Sequence, residues 1–178
     1  MKHINSIILL TSFLFCQNEP ESTQNLLSEN LKPFQAFISK TFKGEFANST
    51  PEEPVYDISR WERALNGNAI RIMHSVNNGE YGGESIVMWD TKKESLVSWY
   101  FTTAGFYTQA TLHFEDEKLI SIEDVTGNEN GITQVKAVIT LLPGGELINS
   151  SKYFMNGSWV DGHKVHYKEV PDAKVVFK

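Results

Sequence analysis

The sequence predicts an all-β fold, an antiparallel up-and-down β-barrel of about ten strands with a short N-terminal helix. Two observations carry this. From Thr41 onward, short runs rich in Val, Ile, Thr, Tyr, Phe and Trp alternate with turn signals spaced about 8–12 residues apart. The links are short enough to be hairpins, so consecutive strands should be antiparallel neighbours. A flat meander of that size would leave two long unpaired edges, and closing the sheet removes both.

The elements follow in order. Residues 1–18 read MKHINSIILLTSFLFCQN, with Lys2 ahead of an apolar run from Ile7 to Phe15. That is the layout of a secretory signal, too short to span a bilayer stably. Residues 19–30 are polar and read as a tether, and 31–178 as one barrel domain. Cys16, the only cysteine, stands where the apolar run stops. Its placement resembles a bacterial lipoprotein signal, which implies lipid attachment at Cys16; Phe15 holds the place where such signals carry a small residue. The alternative is an ordinary cleaved signal. Either way the chain is expected to be exported, periplasmic or on the outer surface, touching a membrane only through that anchor.

Leu27, Leu31, Phe34, Phe37 and Ile38 fit one face of a short helix. Pro33 predicts that it is broken or starts late. The turn signals then delimit strands at 41–48, 54–65, 69–76, 80–90, 95–103, 106–114, 118–126, 131–142, 146–155 and 159–169.

Turn length sets register, and register sets the faces. Two-residue turns at Asn66-Gly67 and Asn78-Gly79 place Glu62 opposite Arg71 and Met73 opposite Glu84. Glu62, Arg71 and Glu84 then share one face of three neighbouring strands. A two-residue turn at Ala104-Gly105 groups Val97, Trp99 and Phe101 with Ala110, Leu112 and Phe114, the more apolar set, which belongs inside. An even loop around Lys92-Lys93 carries the Glu62, Arg71, Glu84 group inward with them; an odd loop would flip it. Inward, those three with Met73, Trp99 and Phe101 make a cavity of apolar walls and convergent polar groups. Outward, the three charges are a cross-strand ion-pair ladder.

Composition narrows the function classes. The chain has 178 residues, 16 Lys plus Arg against 22 Asp plus Glu, and a net charge of −6. With no basic run, it offers nothing to a phosphate backbone, so no nucleic-acid partner is expected. A single cysteine excludes an internal disulfide and a cysteine-based zinc site. His163 and His166 leave opposite faces of one strand, and His74 and His113 fall on the outer face in this register, so no metal is expected. One histidine would suffice for haem, a separate possibility, but no cofactor is expected. No serine sits in a nucleophile elbow. Gly82-Gly83, inside a strand, reads as a bend or bulge and not as a phosphate loop.

The run Phe37 to Phe46 resembles the lead-in of a calycin barrel. WERALNG at 61–67, YGGE at 81–84, WD at 89–90, YFTTAGFYT at 100–108 and GITQV at 131–135 resemble a bacterial lipocalin-like family without an agreed activity. The similarity covers most of 35–178. It implies a calyx-shaped barrel with an interior site for a small, largely apolar molecule. The Gly-x-Trp signature of true lipocalins would fall near Lys40 to Phe42 and is absent, so no site residue carries over from them.

The expected function is binding of a small apolar or amphipathic ligand inside the barrel. Glu62, Arg71 and Glu84 would hold its polar end, and Met73, Trp99 and Phe101 its apolar part. The alternatives are an enzyme in the same barrel, with Glu84 or Glu62 as general acid/base for isomerisation, dehydration or hydrolysis, and a solid-barrel envelope interaction protein. Oligomeric state does not follow from the sequence.

Overall fold

Ten strands occur where the turn signals place them. The computed structural model describes residues 26–126 and 130–178; Cys16, the signal and most of the tether lie outside those residues. The strands are β1 (Thr41–Phe46), β2 (Tyr56–Ala64), β3 (Ala69–Val76), β4 (Tyr81–Asp90), β5 (Ser95–Thr102), β6 (Tyr107–Glu115), β7 (Lys118–Asp124), β8 (Ile132–Leu141), β9 (Leu147–Met155) and β10 (Ser158–Glu169). Each pairs antiparallel with its sequence neighbours, and β1 pairs with β10, so the sheet is a closed up-and-down barrel. Closure leaves no edge strand.

The helix is a 3-10 helix, Glu29–Phe37, running through Pro33. It is not broken there, as the sequence reading expected. Three residues per turn align Leu31, Phe34 and Phe37 in one stripe, and all three are buried. They join a core cluster with Trp61, Ile70 and Leu112. Phe34 packs edge-on to Phe114 with centroids 5.0 Å apart, and Phe37 stacks on Trp61 at 4.9 Å. The helix thus covers the barrel end that carries the β2–β3 and β6–β7 turns. Backbone bonds tie its flanks down, from Ser28 N–H to the Gly67 carbonyl (2.9 Å) and from Ser39 N–H to the Trp61 carbonyl (2.9 Å). The C-terminal segment crosses the outside of the sheet, donating from Val170 N–H to the Thr41 carbonyl and from Val176 N–H to Ser75 Oγ.

Register decides the faces. Glu62 pairs with Arg71 and Met73 with Glu84, as the turns predict, and the loop around Lys92-Lys93 is the even one, pairing Ile86 with Trp99 and Met88 with Val97. The β5–β6 hairpin differs by one residue, pairing Phe101 with Tyr107 and Ser98 with Ala110. Thr102 N–H donates to the Phe106 carbonyl around Thr103, Ala104 and Gly105, with Gly105 at φ +84°. Three-residue hairpins use a glycine in this left-handed conformation. The odd loop moves Val97, Trp99 and Phe101 away from Ala110 and Leu112. Leu96, Ser98 and Tyr100 face in, and every strand tied in register to β5's other face turns with it.

Candidate functional site

The barrel encloses a cavity of about 490 Å3. Near the helix its walls are Trp61, Val87, Leu112, Leu119 and Leu147. Toward the other end they become polar, with Asp57, His74, Tyr81, Tyr100, Glu123 and His163.

The register places Glu62, Arg71, Met73, Glu84, Trp99 and Phe101 on the outer face, and none of them lines this cavity. That corrects the inward assignment, and the three-residue β5–β6 loop is the reason. The structure does bring the charged trio together. Arg71 donates from Nε and Nη2 to the two Glu84 oxygens, each at 2.7 Å, and its Nη1 lies 3.9 Å from Glu62 Oε2. Arg60 Nε donates to Glu62 Oε1 at 3.2 Å. The side chains of Arg71, Glu62 and Glu84 stay 40%, 36% and 31% accessible. This is the ion-pair ladder on solvent, worth well under about 1 kcal/mol per pair. Glu84→Gln should therefore leave interior binding unchanged and shift the urea midpoint only slightly. A large loss of either would return the ladder to the site.

His74 also changes face. It points inward, while His113 is outward beside Glu115. His163 and His166 do leave opposite faces, His163 into the cavity and His166 onto Glu146.

A hydrogen-bonded chain runs along the polar wall. Asp57, 2% exposed, accepts from Tyr167 Oη on Oδ2 (2.8 Å) and meets His74 Nδ1 on Oδ1 (2.8 Å). His74 Nε2 lies 2.7 Å from Tyr100 Oη, which lies 3.1 Å from Tyr81 Oη. Two strand glycines make this possible. Gly44 on β1 sits in register between Asp57 and Tyr167. A Cβ there would stand 2.5 Å from Tyr167 Cδ1, so only glycine lets that ring cross β1 to reach Asp57. Gly83 on β4 pairs with His74, and a Cβ there would stand 2.9 Å from Tyr100 Cζ, blocking the same crossing. Strand glycines mark such close approaches. They are the sequence signal that points to the chain.

Burial pushes the Tyr100 and Tyr167 hydroxyls well above the usual phenol range, so both stay protonated. Burial also raises the Glu123 carboxyl, against the opposing Thr108 hydroxyl, and lowers His163. Asn149 Oδ1 is a buried acceptor facing the cavity without a donor among the described residues, an atom that a ligand donor or water would satisfy. Among the described residues no group of three His, Cys, Asp or Glu could hold a metal ion.

No family model matches this chain, and no curated protein matches it.

Proposed function

We propose that this protein is an exported barrel, tethered through Cys16, that binds a small apolar or amphipathic molecule in its interior. The observation that carries the reading is the cavity of about 490 Å3, apolar toward the helix and polar at the far end. Its volume falls within the range of small-molecule sites, and apolar walls with a few placed polar groups are how such sites bind and orient a ligand. The apolar part would lie against Trp61, Leu112 and Leu119. The polar end would meet Tyr81, Tyr100 and Asn149. Resemblance to a lipocalin-like family and the signal-like N-terminus support the same reading.

Native mass spectra of the purified protein beside a denatured control test it, together with titration of phenylnaphthylamine, an uncharged fluorophore. The expected result is an adduct lost on denaturation, or a saturable fluorescence rise suppressed by Ala137→Trp, which fills the cavity. No adduct, and no fluorescence rise sensitive to that substitution, would sink the reading in favour of a surface-acting barrel.

Glu123 favours a second reading, an enzyme using a buried carboxyl as general acid/base, because burial raises its carboxyl above the usual carboxylate range, toward the protonated form a general acid needs. A catalyst would retain unconverted substrate in Glu123→Gln, so variant and parent would carry adducts of different mass. A carrier would hold the same molecule in both.

A further inference from the structure

The Asp57–His74–Tyr100–Tyr81 chain has one open end, and its proton count decides what that end offers. Each Asp57 oxygen has a partner. His74 is also its only ion-pairing partner among the described residues. Tyr100 sits between His74 and Tyr81 with a single proton to give.

Two arrangements satisfy every atom. With neutral His74, Nδ1–H donates to Asp57 and Nε2 accepts from Tyr100. Tyr100 oxygen then accepts from Tyr81, which presents only lone pairs to the cavity. With an imidazolium, Nε2–H donates to Tyr100 and Tyr100 donates to Tyr81 across the same 3.1 Å contact. The Tyr81 O–H is then free to donate into the cavity. One proton on His74 therefore reverses the chain and changes Tyr81 from acceptor to donor.

Charge points the same way. Among the described residues no lysine or arginine lines the cavity, so of these only His74 and His163 can become positive there. Burial holds His163 toward its neutral form, with its Nδ1 2.9 Å from Tyr153 Oη and 3.1 Å from Ser151 Oγ. Of the two, His74 is the histidine whose proton is relayed through Tyr100 to the Tyr81 hydroxyl, whereas His163 Nδ1 meets the Ser151 and Tyr153 hydroxyls directly. The His74 side chain is 25% accessible, so solvent protons reach it.

We propose that the cavity takes an organic anion, a carboxylate or sulfonate on an apolar body, whose oxygen accepts from Tyr81 while His74 takes up one proton. The inference rests on the interior-binding reading and adds the ligand's charge and its coupling to pH. The groups facing His74 are Asp57 from β2, Tyr81 from β4, Tyr100 from β5, and Tyr167 and His163 from β10. Glu123 on β7 acts through Tyr100. Ionisation of Glu123 would also repel an anion as pH rises, so the test must separate it from His74.

The experiment titrates the whole protein with anilinonaphthalene sulfonate, anionic throughout, and with uncharged phenylnaphthylamine, in a series of buffers of stepped pH. The expected result is sulfonate affinity that weakens by up to about tenfold per pH unit as pH rises, while the uncharged probe binds equally at all pH. Calorimetry in buffers of different ionisation heat should count about one proton taken up per sulfonate where affinity slopes with pH. His74→Gln and Tyr81→Phe should each abolish the pH slope while still binding phenylnaphthylamine. Glu123→Gln and His163→Gln should keep it. A slope lost in Glu123→Gln or His163→Gln but kept in His74→Gln overturns the proposal, as does sulfonate binding without proton uptake, or no sulfonate binding. Failure of phenylnaphthylamine as well would overturn the interior-binding reading itself.

Discussion

Phe34→Ala should cost about 3–5 kcal/mol of stability, the range for truncating a fully buried phenylalanine. Phe34 is 0% exposed and packs against Trp61 and Phe114, joining the helix to two strands that are distant in sequence. Truncation leaves a void at the covered end that neighbouring rings cannot all collapse into. Urea unfolding followed by tryptophan emission measures the loss, with Leu26→Ala, at a position 55% exposed, as the near-neutral comparison. A loss under about 1 kcal/mol would mean that the helix frays independently and the barrel stands without it.

Asp57→Ala should be comparably damaging, about 3–5 kcal/mol, because it strips the partner from one buried donor and one part-buried donor at once. Tyr167 Oη and His74 Nδ1 both lose the acceptor they meet at 2.8 Å. Tyr167→Phe removes one of those bonds and should cost about 1.5–3 kcal/mol, the range for a hydrogen bond to a charged group. The double variant should lose less than the sum of the two, since the bond is shared. An Asp57→Ala protein as stable as its parent would show that desolvating the carboxylate offsets all of its bonds.

Much of the fold is written in short windows of sequence. Asn66-Gly67 and Asn78-Gly79 mark hairpins because asparagine and glycine tolerate the left-handed backbone found there: Asn66 at φ 55°, Gly67 at 89°, Asn78 at 57° and Gly79 at 89°. The registers they imply hold across β2, β3 and β4. The Leu31, Phe34, Phe37 stripe is legible too, although its spacing of three fits the 3-10 helix better than an α-helix.

The candidate site was legible only in part. The Glu62, Arg71, Glu84 grouping emerges from turn lengths, but its face does not. Hydrophobicity misleads here because the interior is mixed, with Asp57, Ser59, His74 and Tyr100 inside, while Trp99, Phe101 and Met73 lie outside. The rule that the more apolar face turns inward therefore selects the wrong side of β5, and the error passes through Ile86 and Met88 to Glu84 and Arg71. A closed barrel with a polar cavity has no strong apolar contrast between faces to correct such a slip.

The sequence by itself determined ten strands, their order, an antiparallel closed barrel and an aromatic helix stripe. These follow from side-chain periodicity and turn chemistry, which act within a few residues. Tertiary structure decided which side chains share the interior, because facing is a parity summed over every loop around the barrel, and one extra residue between Thr102 and Phe106 reverses it. It alone joined Asp57, His74, Tyr100 and Tyr167, residues spread over β2, β3, β5 and β10. Their meeting depends on closure, which brings β10 beside β1, and on Gly44 and Gly83 leaving room for two rings to cross a strand.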